Sequence, residues 1–405
     1  MGKSSPIREQ VASVAVRTVN RLSRLSRRGS GTVVGGRVGM KIAPDLVSSL
    51  TSGRCVILVS GTNGKTTTTS MIVAGWGGSV TTNETGSNMP AGHVAALVES
   101  KNEHVVLEVD EGWLAGTLAS TRPSVVVLLN LSRDQLDRAN EVRHHAERWR
   151  KALEAHNDDK LVVVANANDP LVVYAADVRA NTVWCDVPTS WLADALSCPQ
   201  CTLAISHVGS AWHCTCGFAK PVKVTSVLGE ELVIDGEALK LDLLMPGEFN
   251  RSNAAMALTA LHCVDVNLEE AIRRVNAIPS VVGRFSVRRW NGHVLRLLLA
   301  KNPSGFAAMM ATLPEDGSDV WVAINARVAD GHDPSWLYDV PFEMLRGHRV
   351  YCFGERRLDL ATRLDYARVE FTVVDNDSLV PTSKETISLL ANYTAFSDWL
   401  ARSEA

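Results

Sequence analysis

Residues 55–69 read CVILVSGTNGKTTTT, and this stretch decides the fold class. An apolar run leads into a turn with two glycines, which is followed at once by Lys-Thr and three more threonines. A buried strand, a tight turn and a helix start in this order direct backbone N–H groups at a bound phosphate. The lysine neutralises phosphate oxygens, and the next hydroxyl ligates Mg²⁺. The predicted phosphate-binding residues are Gly61, Thr62, Asn63, Gly64, Lys65, Thr66 and Thr67, with Thr66 also a magnesium ligand.

This loop departs in spacing from the common nucleotide-binding loop. Val59 occupies the position five residues before Gly64, where the common loop has glycine. A tight turn with a surface lysine is the alternative interpretation. The apolar run before the turn and the helix-length segment after it favour the phosphate site.

Composition and charge limit the class of protein. The chain has 405 residues, of which 46% are hydrophobic and 21% are charged, as is typical of globular proteins. At roughly 100–200 residues per domain, this length predicts two or three domains. A net charge of −3 provides no overall positive field for non-specific binding of nucleic acid. Because no apolar run approaches the ~20 residues of a membrane span and no signal peptide is apparent, we expect a cytoplasmic protein.

Short β-branched runs without polar alternation are spaced by helix-length segments, which is typical of parallel sheets buried on both faces. A first set lies at 55–60, 105–109, 125–129 and 161–165, and a second set lies at 295–299, 320–324, 350–353 and 369–374. Cysteines and short polar strands at about 195–235 suggest an inserted module. The predicted fold class is α/β, with a parallel-sheet domain at 45–283 that carries the insertion and a Rossmann-like domain at 284–405.

The remaining segment, 1–44, is predicted to be a basic helix and a linker. It contains seven arginines and no aspartate within its first 40 residues, and apolar residues recur there at roughly helical spacing. Two interpretations stay open: a solvated helix docked on the main body, or a helix resting on anionic lipid headgroups at the inner face of the plasma membrane. The glycines between 29 and 39 predict a loop or linker.

Four cysteines, Cys198, Cys201, Cys214 and Cys216, form two closely spaced pairs with twelve residues between them. In a reducing compartment this spacing predicts metal binding rather than disulfides. Four thiolates complete the tetrahedral shell of Zn²⁺ and leave no position for water, so the predicted zinc ribbon is structural. His207 and His213 are alternative ligands. A nucleic-acid-binding ribbon is disfavoured because the module has few positive charges.

Further motifs follow the phosphate loop in the order found in the Mur ligases, which use ATP to join an amino acid to the carboxylate of a peptidoglycan precursor. Each motif is weak alone, but five in the same order over about 190 residues are specific. The chain therefore resembles this family. The motifs after the phosphate loop are LEVDE at 107–111, NLSRDQLDR at 130–138, NANDP at 166–170 and PGEFNRSN at 246–253.

The resemblance implies an ATP site with Mg²⁺. It makes Glu108 a magnesium ligand, with Asp110 and Glu111 as alternative ligands, and carboxylate oxygen is a suitable donor for this hard cation. It also places Asn250 and Asn253 near the adenine. Gln135 stands where the family has histidine in the second motif, so the metal role of that position stays open.

The C-terminal third departs from the amino-acid-adding enzymes, which have Asp-Tyr-Ala-His-x-Pro at the start of the last domain. This chain has LLAKNPSG at 298–305, without the aspartate and the histidine. In five features the chain resembles the MurT branch of the family. They are that change, the cysteine module, the lack of a recognisable UDP-binding domain before the phosphate loop, ADGHDPSWLYD at 329–339 and NYT at 392–394. MurT proteins are the ligase subunits of lipid II isoglutaminyl synthase.

This second resemblance implies amidation of the α-carboxylate of D-glutamate in lipid II to D-isoglutamine, through an acyl phosphate, with ammonia from the glutaminase GatD in a heterodimer. It implies that Asp333 is catalytic, because it completes the Cys-His pair of the partner as a triad. Asp330 and Asp339 are the neighbouring carboxylates. The residues alone favour another role, because an aspartate before Pro-Ser-Trp is a good helix cap.

The sequence disfavours two other functions. An amino-acid ligase of the Mur or folylpolyglutamate type acting without a partner is disfavoured by the missing aspartate and histidine near residue 300. A zinc-ribbon NTPase that binds nucleic acid is disfavoured by the charge balance and the lack of a basic stretch around the ribbon.

Overall fold

The structure is a computed structural model, and it describes residues 5–25, 32–83, 87–133, 142–189, 191, 193–222, 224–279, 285–375, 380 and 386–404. The helices of these residues, in chain order, are α1 (Pro6–Leu25), α2 (Thr32–Ile42), α3 (Leu46–Thr51), α4 (Lys65–Trp76), α5 (Pro90–Glu99), α6 (Leu114–Thr121), α7 (Val142–Glu154), α8 (Pro170–Ala176), α9 (Glu248–His262), α10 (Leu268–Asn276), α11 (Pro303–Met310), α12 (Arg357–Ala367) and α13 (Tyr393–Arg402). Short 3₁₀ helices lie at Ala193–Ala195, Pro334–Asp339 and Phe342–Leu345.

The strands of the same residues, in chain order, are β1 (Cys55–Ser60), β2 (Val80–Thr82), β3 (His104–Val109), β4 (Val125–Leu128), β5 (Val162–Asn166), β6 (Thr182–Asp186), β7 (Ser206–Val208), β8 (Ala211–His213), β9 (Val224–Leu228), β10 (Glu231–Ile234), β11 (Glu237–Lys240), β12 (Phe285–Trp290), β13 (His293–Leu299), β14 (Val320–Ala323), β15 (Arg349–Phe353), β16 (Glu370–Val373) and β17 (Thr386–Ala391).

The first sheet has nine strands in the order β11-β10-β9-β6-β5-β4-β1-β3-β2. Its neighbours are parallel from β2 through β9, and β10 is antiparallel to both strands beside it. One face packs on α4, α9 and α10, and the other packs on α3, α5, α6, α7 and α8. β1 lies near the centre of this sheet. The loop that follows β1 lies at the edge of the sheet where the parallel strands end.

The second sheet has six strands in the order β12-β13-β17-β14-β15-β16. All neighbours are parallel except the hairpin of β12 and β13. Its two faces bury separate apolar clusters, one with α11 and α12 and one with α13. The predicted α/β fold class, with two parallel-sheet units, is confirmed.

The N-terminal segment differs from the prediction, because α2 is helical where the glycines predict a loop. The glycines permit close packing: a Cβ on Gly35 would lie 2.1 Å from Asn20 Oδ1, and one on Gly36 would lie 1.8 Å from the Ala91 carbonyl oxygen. The prediction of a linker across residues 32–39 is therefore wrong. Glycine here serves contact between helices rather than flexibility.

The cysteine module is smaller than the predicted insertion. Its two-stranded sheet consists of β7 and β8, whereas β9, β10 and β11 extend the first sheet. The module packs on the first domain through Trp212, whose indole N–H donates to the Ala167 carbonyl at 3.0 Å. The domain boundaries 1–44, 45–283 and 284–405 stay predictions.

Candidate functional site

The phosphate loop occupies the turn between β1 and α4. Gly61 and Gly64 have φ angles of 150° and 86°, which disfavour L side chains. Space is also limiting, because a Cβ on Gly64 would lie 2.4 Å from Asn253 Oδ1, and one on Gly61 would lie 2.8 Å from Leu129 Cβ. Both glycines are thus required by conformation and by packing.

Lys65 begins α4 and is 4% exposed. Its Nζ donates to the carbonyls of Gly61 and Thr62 and lies 3.0 Å from Glu111 Oε2. Burial raises the pKa of Glu111, but the positive charges of Lys65 and Lys301 outweigh it and leave that pKa below its usual value. The lysine is therefore held at the loop by an ionised carboxylate.

Glu108 lies near the end of β3, directly beside the phosphate loop. Thr66 Oγ1 donates a hydrogen bond of 2.8 Å to Glu108 Oε2. These two oxygen donors fit a hard divalent cation, because Mg²⁺ prefers carboxylate and hydroxyl oxygens. Residues Thr66 and Glu108 would hold the ion at the phosphate loop.

Two side chains that sequence reasoning missed hold the main chain of Glu108. Asn83 accepts from the Glu108 N–H and donates to its carbonyl, each at 2.9 Å. His93 Nε2 lies 2.9 Å from the same carbonyl, and burial lowers the pKa of His93 to about 4. The ring is therefore neutral and donates from Nε2. The position of Asn83 directly after β2, at the edge where the strands end, is the signal that could have revealed it.

The second family motif also meets the phosphate loop. Asn130 and Asn63 exchange two hydrogen bonds, from the Asn63 N–H to Asn130 Oδ1 at 2.9 Å and from Asn130 Nδ2 to the Asn63 carbonyl at 3.0 Å. Thr62 Oγ1 donates to the Ser132 carbonyl at 3.0 Å. The rest of the motif, including Asp134, Gln135 and Asp137, lies outside the described residues.

The third motif, at 166–170, holds the loop that follows β4. Asp169 caps α8 by accepting from the N–H groups of Leu171 and Val172, and it accepts the Leu131 N–H at 2.8 Å. Burial raises the pKa of Asp169 to about 6, against the effect of these hydrogen bonds. Asn166 donates to the Leu129 carbonyl at 2.9 Å. Both side chains fix the loop after β4, which carries Asn130.

A cavity of about 190 Å³ opens beside the phosphate loop, between the two sheet domains. Asn250 and Asn253, both in α9, line it and are 7% and 8% exposed. The Asn250 amide donates to the Pro246 carbonyl at 2.7 Å. The opposite wall comes from the C-terminal domain and consists of Phe285, residues 298–301, Ser304, Gly305, Ala308, Met309 and Thr312.

The four cysteines converge as the spacing predicts. Their sulfur atoms lie within 4.8 Å of one another, with Cys198 and Cys216 at 3.7 Å and Cys201 and Cys214 at 3.4 Å. A tetrahedral Zn²⁺ with bonds of about 2.3 Å separates its sulfur ligands by about 3.8 Å, so the cluster fits zinc. His207 and His213 are exposed on the β7–β8 hairpin and are not part of the cluster.

Asp333 is exposed at the surface of the C-terminal domain. It caps the 3₁₀ helix Pro334–Asp339 by accepting the Ser335 N–H at 2.9 Å, and this hydrogen bond lowers the pKa of Asp333. Asp330 is buried and accepts from the Thr394 N–H and hydroxyl. Asp339 pairs with Arg133 at 3.2 Å. Of the three aspartates, Asp333 is exposed, Asp339 is half-buried and Asp330 is buried.

The fold and the phosphate site define an ATP-dependent ligase class, and the comparisons with known proteins agree. Residues 59–261 match the family model described as Mur ligase middle domain, and residues 299–396 match MurT ligase C-terminal. The chain belongs to the Mur ligase family. Mur ligases use ATP and Mg²⁺.

Two curated relatives match nearly the whole chain. The lipid II isoglutaminyl synthase (glutamine-hydrolyzing) subunit MurT of Staphylococcus aureus strain COL is 27% identical over 95% of this chain and 96% of its own length. The protein of the same name from Streptococcus pneumoniae strain R6 is 26% identical over 92% of each chain. The predicted likeness to the MurT branch is thereby confirmed.

Solved structures share the fold. A pseudomurein peptide ligase type C from Methanothermus fervidus superposes with a TM-score of 0.67 at 19% identity, covering 89% of this chain and 80% of that one. MurF from Acinetobacter baumannii gives 0.64 at 15% identity, covering 90% and 80%. MurF from Thermotoga maritima, solved in complex with ADP, gives 0.59 at 15% identity, covering 88% and 81%. Among the described residues, none of the helices is both long and apolar enough to cross a membrane.

Proposed function

We propose that this chain is the ligase subunit of a lipid II isoglutaminyl synthase in peptidoglycan synthesis. It would use ATP to convert the α-carboxylate of D-glutamate in the stem peptide to the amide of D-isoglutamine. The observation that carries the proposal is a cavity that both domains enclose and that the phosphate loop lines through Asn63, Gly64 and Thr67. Lys65 and Thr66 of the same loop contact Glu111 and Glu108. The full-length likeness to the two MurT relatives supports the choice of substrate.

The residues suit a two-step reaction. A carboxylate is unreactive toward ammonia, so its oxygen first attacks the γ-phosphorus of ATP, and ADP leaves. Lys65 offsets the repulsion between the two anions as they approach, and the start of α4 presents its backbone N–H groups to the phosphates. Thr66 and Glu108 would hold Mg²⁺, which would supply further charge neutralisation. Ammonia then attacks the acyl carbon of the acyl phosphate, the bond to phosphate breaks, and the proton lost by the nitrogen ends on the departing phosphate.

The ammonia source is proposed to be a separate glutaminase subunit, GatD. None of the eight cysteines lies in a Gly-x-Cys-x-Gly sequence, so the chain offers no nucleophile elbow of its own. The exposed Asp333 would orient the histidine of a partner's Cys-His pair. Val328 and Tyr338, which are 84% and 57% exposed, provide apolar surface on the same segment.

The decisive experiment is amidation of lipid II by this chain co-purified with its candidate glutaminase. With ATP, Mg²⁺ and glutamine the pair should form D-isoglutamine, and the chain alone should do so only with ammonium salt. Stimulation of phosphate release by a free amino acid, without amidation, would instead identify an amino-acid ligase.

We propose that the four-cysteine cluster binds one structural Zn²⁺. Cys201→Ser is expected to lose the zinc, and the unfolded module should lower the melting temperature, because the binding free energy of a structural zinc is also folding free energy. Metal analysis and thermal unfolding check this. Cys263→Ser, outside the cluster, is the matched control and should retain one zinc per chain. Wild-type protein without stoichiometric zinc would contradict the assignment.

We also propose that α1 contacts an anionic membrane surface, near which lipid II is held. Its face toward the body is buried at Ala12 and Val16, whereas Ile7, Val11 and Val14 on the opposite face are 74%, 54% and 59% exposed. Leu22, 61% exposed, lies on the same face about three turns after Val11. An apolar strip on a helix rich in arginine matches the pattern of interfacial helices.

The membrane contact is tested by co-sedimentation with vesicles. Wild-type protein should bind vesicles containing phosphatidylglycerol more strongly than vesicles of phosphatidylcholine alone. The Val11→Gln, Val14→Gln double variant should bind at least about tenfold more weakly, because each buried valine contributes about 1.5 kcal/mol. Leu203→Gln, a change at another exposed apolar residue, should have no effect. Equal binding by the double variant and wild type would exclude the contact.

A further inference from the structure

Lys301 lies where the C-terminal domain meets the phosphate loop. It follows β13 and precedes Asn302, which caps α11 by accepting the Gly305 N–H at 2.9 Å. The main chain on both sides of Lys301 is therefore fixed, by the sheet on one side and by the helix start on the other. Lys301 is also part of the cavity wall opposite Gly64.

Hydrogen bonds join this segment directly to the phosphate loop. Asn63 Nδ2 donates to Ser304 Oγ at 2.6 Å, and Asn302 Nδ2 donates to Asn63 Oδ1 at 3.2 Å. Asn302 is fully buried and Ser304 is 8% exposed, so these contacts are shielded from water. They place the Lys301 segment at the phosphate end of the cavity, because Asn63 is within the loop itself.

The charges at this end include two lysines and a group of carboxylates. Glu111 pairs with Lys65 at 3.0 Å, and the positive charge of Lys301 also acts to lower the pKa of the Glu111 carboxyl. When Lys65 moves to a bound phosphate, Glu111 loses part of its contact with it. Lys301, which belongs to the C-terminal domain, is then a second cation beside Glu111.

We propose that Lys301 binds the γ-phosphoryl group of ATP from the side opposite Lys65. The inference rests on the proposed function for the reaction that follows, but its binding step is independent of that reaction. With Lys65 on one domain and Lys301 on the other, the transferred group is bound only when both domains enclose it. Lys301 then stays beside the phosphate as the acyl phosphate forms, where its charge offsets that of the transferred oxygens.

The test compares two nucleotides by calorimetry in the presence of Mg²⁺. Lys301→Met should weaken binding of a non-hydrolysable ATP analogue by about 10–100-fold, because a charge-assisted contact is lost. Binding of ADP, which has no γ-phosphate, should change by less than about twofold. Lys301→Arg should restore most of the analogue affinity because it retains the charge. Lys160→Met, at an exposed residue outside the cavity, is the matched control.

If Lys301 served only as an ion-pair partner of Glu111, a different result would be expected. Binding of ADP and of the analogue would then fall together, or neither would change, and either result would overturn the proposal. Thermal unfolding of Lys301→Met checks that the variant is folded. In the amidation assay kcat should fall with both glutamine and ammonium salt. Absence of amidation by wild type would contradict the proposed function, while the nucleotide comparison would still decide the role of Lys301.

Discussion

Lys65→Met is expected to lower the rate of lipid II amidation by about 10²–10³-fold, whether glutamine or ammonium salt supplies the nitrogen. The physical reason is that Lys65 is the buried cation at the loop, 3.0 Å from Glu111 Oε2 and at the first position of α4. Methionine retains the aliphatic stem and removes the charge. Initial rates of D-isoglutamine formation, measured with both nitrogen donors, provide the test.

Two controls separate chemistry from folding in this experiment. Removing Lys65 deprives the Glu111 carboxylate, whose side chain is 12% exposed, of its ion pair with that lysine, so some loss of stability is expected. Thr66→Val removes a hydroxyl from the proposed magnesium site and leaves the ion pair intact, and it should also reduce the rate. Lys151→Met, at an exposed residue of α7, should behave as wild type. Full activity of folded Lys65→Met would exclude the phosphate loop as the catalytic site.

Asp333→Asn is expected to abolish glutamine-dependent amidation, by about 10⁴-fold, while amidation with ammonium salt stays within about twofold of wild type. An aspartate in a triad orients the imidazole and stabilises its charged form, which asparagine does not do. Asparagine is as good a helix cap as aspartate, so the contact with the Ser335 N–H is retained. The variant therefore removes the charge and spares the local structure.

The assay for this second prediction uses the co-purified pair and measures glutamate release beside amide formation. Asp339→Asn, which weakens only a half-exposed ion pair with Arg133, is the matched carboxylate control and should leave both rates unchanged. If Asp333→Asn lost activity equally with glutamine and with ammonium salt, Asp333 would have no specific role toward the partner.

The MurT relatives, named as subunits of a glutamine-hydrolysing enzyme, are consistent with a multi-subunit assembly. The Lys301 proposal and the Asp333 proposal place two functions of the C-terminal domain at separate positions. Lys301 lines the cavity beside the phosphate loop, and Asp333 is on the exposed surface. The same domain would thus enclose the nucleotide and contact the ammonia source.

The amino-acid sequence by itself determined the features that depend on residues close together in the chain. The apolar run Cys55–Ser60, the glycine turn and the Lys-Thr pair predict β1, the phosphate loop and the start of α4, because strand, turn and helix propensities act locally. The paired cysteines likewise predict their own convergence. The order of the motifs was enough to identify the family.

Tertiary structure decided whatever depends on contacts between distant segments. Asn83 and His93 support Glu108, and Asn302 and Ser304 contact Asn63, although the partners lie at least 15 residues apart in the chain. The glycines of α2 predict a loop locally, yet they are helical because α1 and α5 pack closely against them. The physical reason is common to all these cases: local propensity is worth about 1 kcal/mol or less per residue, and burial against a distant segment exceeds it.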